Sequence, residues 1–348
     1  MSISRSYKQS YLIKQANEFL AAVDSHEFMD ERGNCHGLAV LFLCATWLQT
    51  LPLLQTTTQR DNLTWFYFIR SVLVEWDGHL ASLQAIDLYE HRHFLGEDVS
   101  VKYSNMAAEV HRFITYIQQF QESCYITDVR QSNLNQLVQF TSQQAPQLVY
   151  SITGCFSADE LIKPIKIERE EKETVSCFIE SIAQNGSFLL IHSLDHATAL
   201  VNYQGVYYHF DSNINNLFAN MYTSQQLTTL AAEILKSHRK SDESTASMCF
   251  YAYQFSASKL EYPVVDSILR ECDWTNEYKL SSAICMAMES RCYDSIDYYL
   301  SHQPVKGDAK NDRGDCGLIT AILHSNMRVV NILLDRTRNV DLVDRDGK

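Results

Sequence analysis

The chain has 348 residues, of which 46% are hydrophobic, enough for two or three domains each with a core of its own. Its 42 acidic against 29 basic residues give a net charge of -13, which excludes phosphate-backbone binding as the main role, since that needs a basic face. Met1 to Ser10 is polar, and the apolar residues after it are interrupted by Lys14, Gln15, Asn17 and Glu18, so no cleavable signal peptide is expected. The ten cysteines form no CxxC pair, zinc spacing or compact framework, which fits reduced thiols and implies neither a metal nor a cofactor.

Helical spacing of Tyr11, Leu12, Ala16, Phe19, Leu20 and Val23 predicts a helix within residues 7–30, with a break opening at Asp24 or Ser25. Gly33-Asn34-Cys35-His36-Gly37 follows, and then the run Leu38 to Leu54 with no formally charged side chain. Leu38, Leu41, Phe42 and Ala45 recur at helical spacing, with Trp47 and Leu48 continuing the apolar surface until Pro52. The run falls short of roughly 20 apolar residues and carries Thr46, Gln49 and Thr50, so it predicts a buried helix, not a membrane span. Cys35 would open that helix. Unpaired backbone N–H groups and the positive end of the dipole favour a nucleophilic thiolate at such a position. The competing reading is an ordinary buried cysteine, one of ten. Gly33 and Gly37 supply small, flexible flanks.

Leu63 to Trp76 and Met106 to Phe120 read as further core helices, while His79, His91, His93 and His111 lack partners at ligand spacing and read as structural or surface residues. The texture changes at Gln147 to Ile152, a predicted strand, followed by the charged segment Lys163 to Glu173, expected to be a solvated face. Ser187 to His192, His196 to Tyr203 and Val206 to Asp211 read as three strands, the last two joined by a Gln204-Gly205 hairpin turn. A helix over Gln225 to Lys236 and a strand from Met248 to Phe255 complete a first domain ending near residue 257. Helices first and an antiparallel sheet later make an α+β layout.

A two-residue turn pairs Tyr203 with Val206 and so sets Asp211 opposite Thr198, two residues from His196 on the same face. A carboxylate diagonal to an imidazole fixes its tautomer and leaves the other ring nitrogen to accept a thiol proton. A turn one residue longer would put the two on opposite faces. His192 is the rival base, and Asp195 reads as a loop residue; a core histidine bonded to a chance aspartate is the plain structural alternative.

Gly-Asn-Cys35-His-Gly-Leu before a helix containing Trp47, then His196-Ala-Thr-Ala-Leu, then Tyr-His-Phe-Asp211-Ser-Asn213, resembles the papain-like cysteine proteases of the YopT and AvrPphB effector group. The resemblance implies Cys35 as nucleophile, His196 as general base and Asp211 as the orienting carboxylate. Ser212 stands where that family has proline, and Ile214-Asn215 where a glycine often follows. An oxyanion hole would use the Cys35 N–H and one further donor, for which Asn34 is available. Hydrolysis of an amide, acyl transfer to another amine and glutamine deamidation all fit these three residues. So does a non-catalytic adaptor in which the fold is only a scaffold.

From about residue 260 helical pairs recur: Cys292 to Leu300 aligns with Asn326 to Leu334 at a spacing of 34, and the Asp312-Arg-Gly314 turn with Arg345-Asp-Gly347 at 33. Together with Leu318 to His324 as an inner helix, this resembles ankyrin repeats, with Pro263 to Leu269 the outer helix of an earlier, degenerate one. The chain stops just past the turn that opens another repeat, so the array is expected to continue beyond Lys348. The expected architecture is therefore an α+β papain-like cysteine protease domain over 1–257 and an all-α ankyrin-repeat solenoid over 258–348. Ankyrin stacks imply host-protein partners, and the pairing resembles ankyrin-repeat effectors of Legionella. That implies secretion into a host cell, action in its cytosol or nucleus, a monomer, no membrane span and no direct nucleic-acid contact.

Overall fold

The computed structural model describes residues 6–30, 34–50, 62–83, 106–122, 147–169, 172–239, 243–254, 265–311, 313–339 and 341–343. Gly33, Pro52, His91, His93, Asp312 and the turn at 345–347 lie outside the described residues. Among those described, no helix is long and apolar enough to cross a membrane.

Among the described residues four helices come first: α1 (Gln9–Ala22), α2 (Cys35–Thr50), α3 (Asn62–Glu75) and α4 (Met106–Glu122). A mixed second half follows, with β1 (Gln147–Ser157), α5 (Ala158–Ile162), β2 (Pro164–Arg169), β3 (Lys172–Cys177), α6 (Phe178–Ile182), β4 (Phe188–His192), β5 (Ala197–Tyr203), β6 (Val206–Phe210), β7 (Asn220–Thr223), α7 (Leu227–His238) and β8 (Thr245–Gln254). The chain closes with α8 (Val265–Arg270), α9 (Glu277–Glu289), α10 (Tyr293–His302), α11 (Gly317–Leu323) and α12 (Met327–Leu334). One sheet has six strands in the order β1-β8-β4-β5-β6-β7, and its β4–β8 pair is antiparallel, Phe188 facing Tyr253 and His192 facing Cys249. The chain is thus a mixed α/β protein with an antiparallel sheet.

Residue contacts divide the chain into two compact units, one of 1–147, 197–201 and 208–221 and the other of 148–196, 202–207 and 222–348. In the first, α2 is buried on every side from Leu38 to Thr46, as its lack of charge requires. α1 stops because Asp24 turns left-handed at φ 53°, where Ser25 N–H caps Leu20 O. An aromatic core joins the pieces: Phe42 stacks on Phe210 at 4.8 Å, and Phe66 meets Phe210 edge-on at 5.4 Å.

Gly37 is not the flexible flank its neighbourhood in the sequence implies. It lies inside α2, and a Cβ added there would sit 2.2 Å from the carbonyl oxygen of Ile117 on α4. The missing side chain is what lets the two helices touch. Helix propensity favours alanine by about 1 kcal/mol, while forcing a backbone carbonyl aside costs about 3 kcal/mol, so the clash wins. Gly37→Ala is expected to lower unfolding free energy by about 2 kcal/mol in urea titration. An unchanged or raised midpoint would contradict the close approach of α2 and α4.

In the second unit the charged segment expected to be a solvated face is a two-stranded antiparallel ribbon, β2 with β3, Pro164 facing Cys177 and Arg169 facing Lys172. Ile165 and Ile167 alternate with Lys166 and Glu168, the strand period that the charge density hid. The hairpin turn behaves as its sequence requires: Gln204 (φ 53°) and Gly205 (φ 81°) are both left-handed, the two-residue geometry that follows strand twist.

The C-terminal helices form pairs whose hydrogen bonds repeat. Cys292 N–H to Ala287 O recurs 34 residues on as Asn326 N–H to Ala321 O, Ile296 to Cys292 recurs as Val330 to Asn326, and the left-handed Arg291 recurs as Ser325. The first pair is tied to the sheet within this unit. Tyr299 Oη donates to Thr153 O at 2.7 Å, Thr153 N–H to Ser295 Oγ at 3.0 Å, and Tyr251 Oη to Ser290 O at 3.1 Å.

Candidate functional site

Cys35 is half-buried and is the first residue of α2. Asn34 precedes it as the residue whose carbonyl accepts the first helical bond, from Leu38 N–H at 3.0 Å. The approach to Cys35 is held from the side. Asn17 of α1 grips Met29 at both ends, accepting its N–H at 2.7 Å and donating to its carbonyl at 3.1 Å, and Asn34 Nδ2 donates to Asp30 O at 3.0 Å. Gln121 Oε1 on α4 accepts the Gly37 N–H at 3.1 Å, satisfying one of the donors that a helix start leaves over.

Asp211 is buried immediately after β6, and its Oδ1 accepts Asn213 N–H at 2.8 Å, an Asx turn that fixes the carboxyl plane. Ser212, next in the chain, stiffens this turn by hydrogen bonding. Its Oγ donates to Gln9 Oε1 at 2.9 Å while its carbonyl accepts Gln9 N–H at 2.7 Å. Asn215 Oδ1 accepts Tyr7 N–H at 2.7 Å, so the N-terminal segment and the Asp211 loop are sewn together.

The residue that sequence reasoning missed here is Arg70 of α3. It is fully buried, its guanidinium donates to the carbonyls of Asn216, Leu217 and Tyr7, and it lies 5.2 Å from the Phe210 ring. Burial pushes it down to about 10, opposed by the nearby phenols of Tyr67 and Tyr7 and the carboxylate of Asp211. The readable signal was a single cation inside the aromatic-rich run Trp65 to Val74.

His196 is buried at the end of a tight loop in which Ser193 N–H and Oγ both donate to its carbonyl, at 2.9 and 3.3 Å. Two neighbours were unexpected. The His238 ring at the end of α7 lies 5.4 Å from the His196 ring, with its Nδ1 3.0 Å from Ser193 Oγ, and Arg313 Nη2 donates to Asp195 Oδ2 at 2.7 Å. Asp195 is thus a loop residue with a partner far along the chain. Cys35, Asn34 and Asp211 fall in the first unit and His196, bonded to Ala197 at the edge of that unit, in the second.

His192, the rival base, is held low, to about 4 from an ordinary 6.5, by burial first and by the His196 charge second, with Asp195 opposing. A base so weak gains little by taking a thiol proton at neutral pH. The same depression is a stability statement. Above 6.5 His192 is neutral folded or unfolded; below it only the unfolded chain takes up the proton, so stability falls as pH drops from 6.5 towards 4. About 3 kcal/mol is expected to be lost over that window. Urea titrations at several pH values should show this loss shrink in His192→Gln; an identical pH profile in that variant would contradict the assignment.

The nine described cysteines are free, and the described residues contain no group of three metal-ligating side chains. No protein-family model matches the chain, and no curated protein matches it. Among solved structures it is similar to the Pseudomonas avirulence protein AvrPphB, with 10% identity, a TM-score of 0.33, and coverage of 64% of this chain and 92% of that one.

Proposed function

We propose that the chain is a Cys-His-Asp thiol hydrolase that cleaves an amide bond in a host protein. Cys35 is the nucleophile, His196 the general base and Asp211 the carboxylate that orients it. The observation that carries this reading is the position of Cys35, a half-buried thiol at the first residue of a helix that is buried from Leu38 to Thr46. The two-residue hairpin turn supports it further, because it keeps the strand parity that relates Asp211 to His196.

In the reaction, His196 takes the Cys35 proton and the thiolate attacks the carbonyl carbon. The oxyanion is met by the Cys35 N–H and by Asn34, which has one amide N–H beyond that given to Asp30. The tetrahedral adduct collapses to a thioester as the amine leaves with the proton from His196. Water, deprotonated by the same ring, then releases the acid and regenerates the thiol.

Residues 258–348 are proposed to be ankyrin repeats that select the target, a reading supported by the hydrogen bonds that recur 34 residues apart. The protein would act as a bacterial effector in the cytosol or nucleus of a host cell. The test is mass spectrometry of host lysate treated with the native chain and with Cys35→Ala. New peptide N-termini made only by the native chain support hydrolysis. A gain of about one dalton at glutamine with an intact backbone marks deamidation, conjugates mark acyl transfer, and no difference between the two chains leaves an adaptor.

A further inference from the structure

Within the second unit, a cavity of about 300 Å³ opens beside His196. That is at the small end of ligand pockets. One wall is the loop Ser193 to His196 with the end of α7, and the other is the start of α9 with the turn that precedes α11. Three cations line it, Arg239, Lys279 and Arg313, with the carboxylates of Asp195 and Glu243, and Lys279 is already paired with Glu160 outside the lining.

It is also rich in donors. Asn276 Oδ1 is occupied by the N–H groups of Tyr278 and Lys279, and Asn311 Oδ1 by those of Arg313 and Asp315. With both amide oxygens turned to the backbone, what these two lining side chains have left to offer is N–H. Of the two acids, Asp195 is already paired with Arg313, and the pair is lopsided: the Asp195 side chain is 74% exposed, the Arg313 side chain 22%. Arg313 therefore needs a carboxylate partner, while Asp195 can return to water at little cost.

We propose that this cavity is a subsite for a carboxylate side chain, glutamate or aspartate, of the protein substrate, and that the incoming carboxylate takes Arg313 from Asp195. The inference rests on the reading of His196 as the general base: it makes the helical repeats one wall of the cleft and Arg313 a specificity residue. Charge-assisted, bidentate pairing with a guanidinium separates a carboxylate from its amide analogue by about 10- to 100-fold.

The test is ring NMR of His196 and His238 in the full chain, titrated with N-acetylglutamate methylamide or with its glutamine analogue. The glutamate compound is expected to move both rings saturably and to bind at least about tenfold more tightly than the glutamine compound. Arg313→Gln should remove that preference, and Asp195→Asn, which deletes an exposed competitor, should tighten glutamate binding. Equal affinity for the two compounds, no saturable shift, or a preference that survives Arg313→Gln would overturn the subsite. Binding is read without turnover, so an inert Cys35 with a glutamate-selective cavity sinks the hydrolase and keeps the carboxylate site. Cleavage without that selectivity does the reverse.

Discussion

Replacing Cys35 with alanine is expected to abolish cleavage of the target while the chain still folds and still binds it. Removing the nucleophile of a catalytic unit costs on the order of a millionfold in kcat, because the remaining groups have nothing to activate. The structural cost is small by comparison. Cys35 is half-buried at a helix end, so losing one sulfur atom is worth about 1 kcal/mol or less. Cleavage products counted by N-terminal labelling and a urea titration of the same sample separate the two effects. New N-termini produced at the native rate by Cys35→Ala would exclude thiol catalysis.

The largest expected loss of stability comes from Arg70→Met. Two effects oppose each other. Methionine removes a charge whose burial costs several kcal/mol. It also orphans the carbonyls of Tyr7, Asn216 and Leu217, each worth about 1–3 kcal/mol when left unpaired away from water. Three acceptors outweigh one relieved charge because the guanidinium stays charged at neutral pH and both of its terminal nitrogens donate, with Nε alone left unpartnered. A net loss of about 4 kcal/mol is expected, a large share of the roughly 5–15 kcal/mol that holds a domain together. Arg70→Lys should recover only part of it, since a point charge on a flexible stem cannot span three carbonyls. Urea midpoints measure both, and a native midpoint in Arg70→Met would show that those carbonyls find water instead.

The parts of the fold legible in the sequence were those written in short-range pattern. The uncharged run after Cys35 read as an interior helix, and Gln204-Gly205 as a tight turn between two strands. The helical pairs near the C-terminus were legible because the same spacing occurs twice. What stayed hidden depended on distance or disguise. β7 is four residues with one buried side chain, too little alternation to register. The β2–β3 ribbon was masked by its charges. Arg70 finds its acceptors 146 and 147 residues away, and Asp195 meets Arg313 across 118, partnerships that no local window contains. Gly37 was visible but misread, since the Ile117 carbonyl that forbids a side chain belongs to another helix. Of the candidate site, the identities of Cys35, His196 and Asp211 come from residue pattern, and the supports around them from the structure alone.

The most direct measurement of the central claim is the rate at which iodoacetamide alkylates Cys35 at pH 6.5, where an ordinary thiol is only about 1% thiolate. Cys35 is expected to react faster in the folded chain than in the same chain unfolded in urea, and His196→Ala to remove the excess. A folded Cys35 that reacts no faster than the unfolded one, with His196→Ala making no difference, would contradict it.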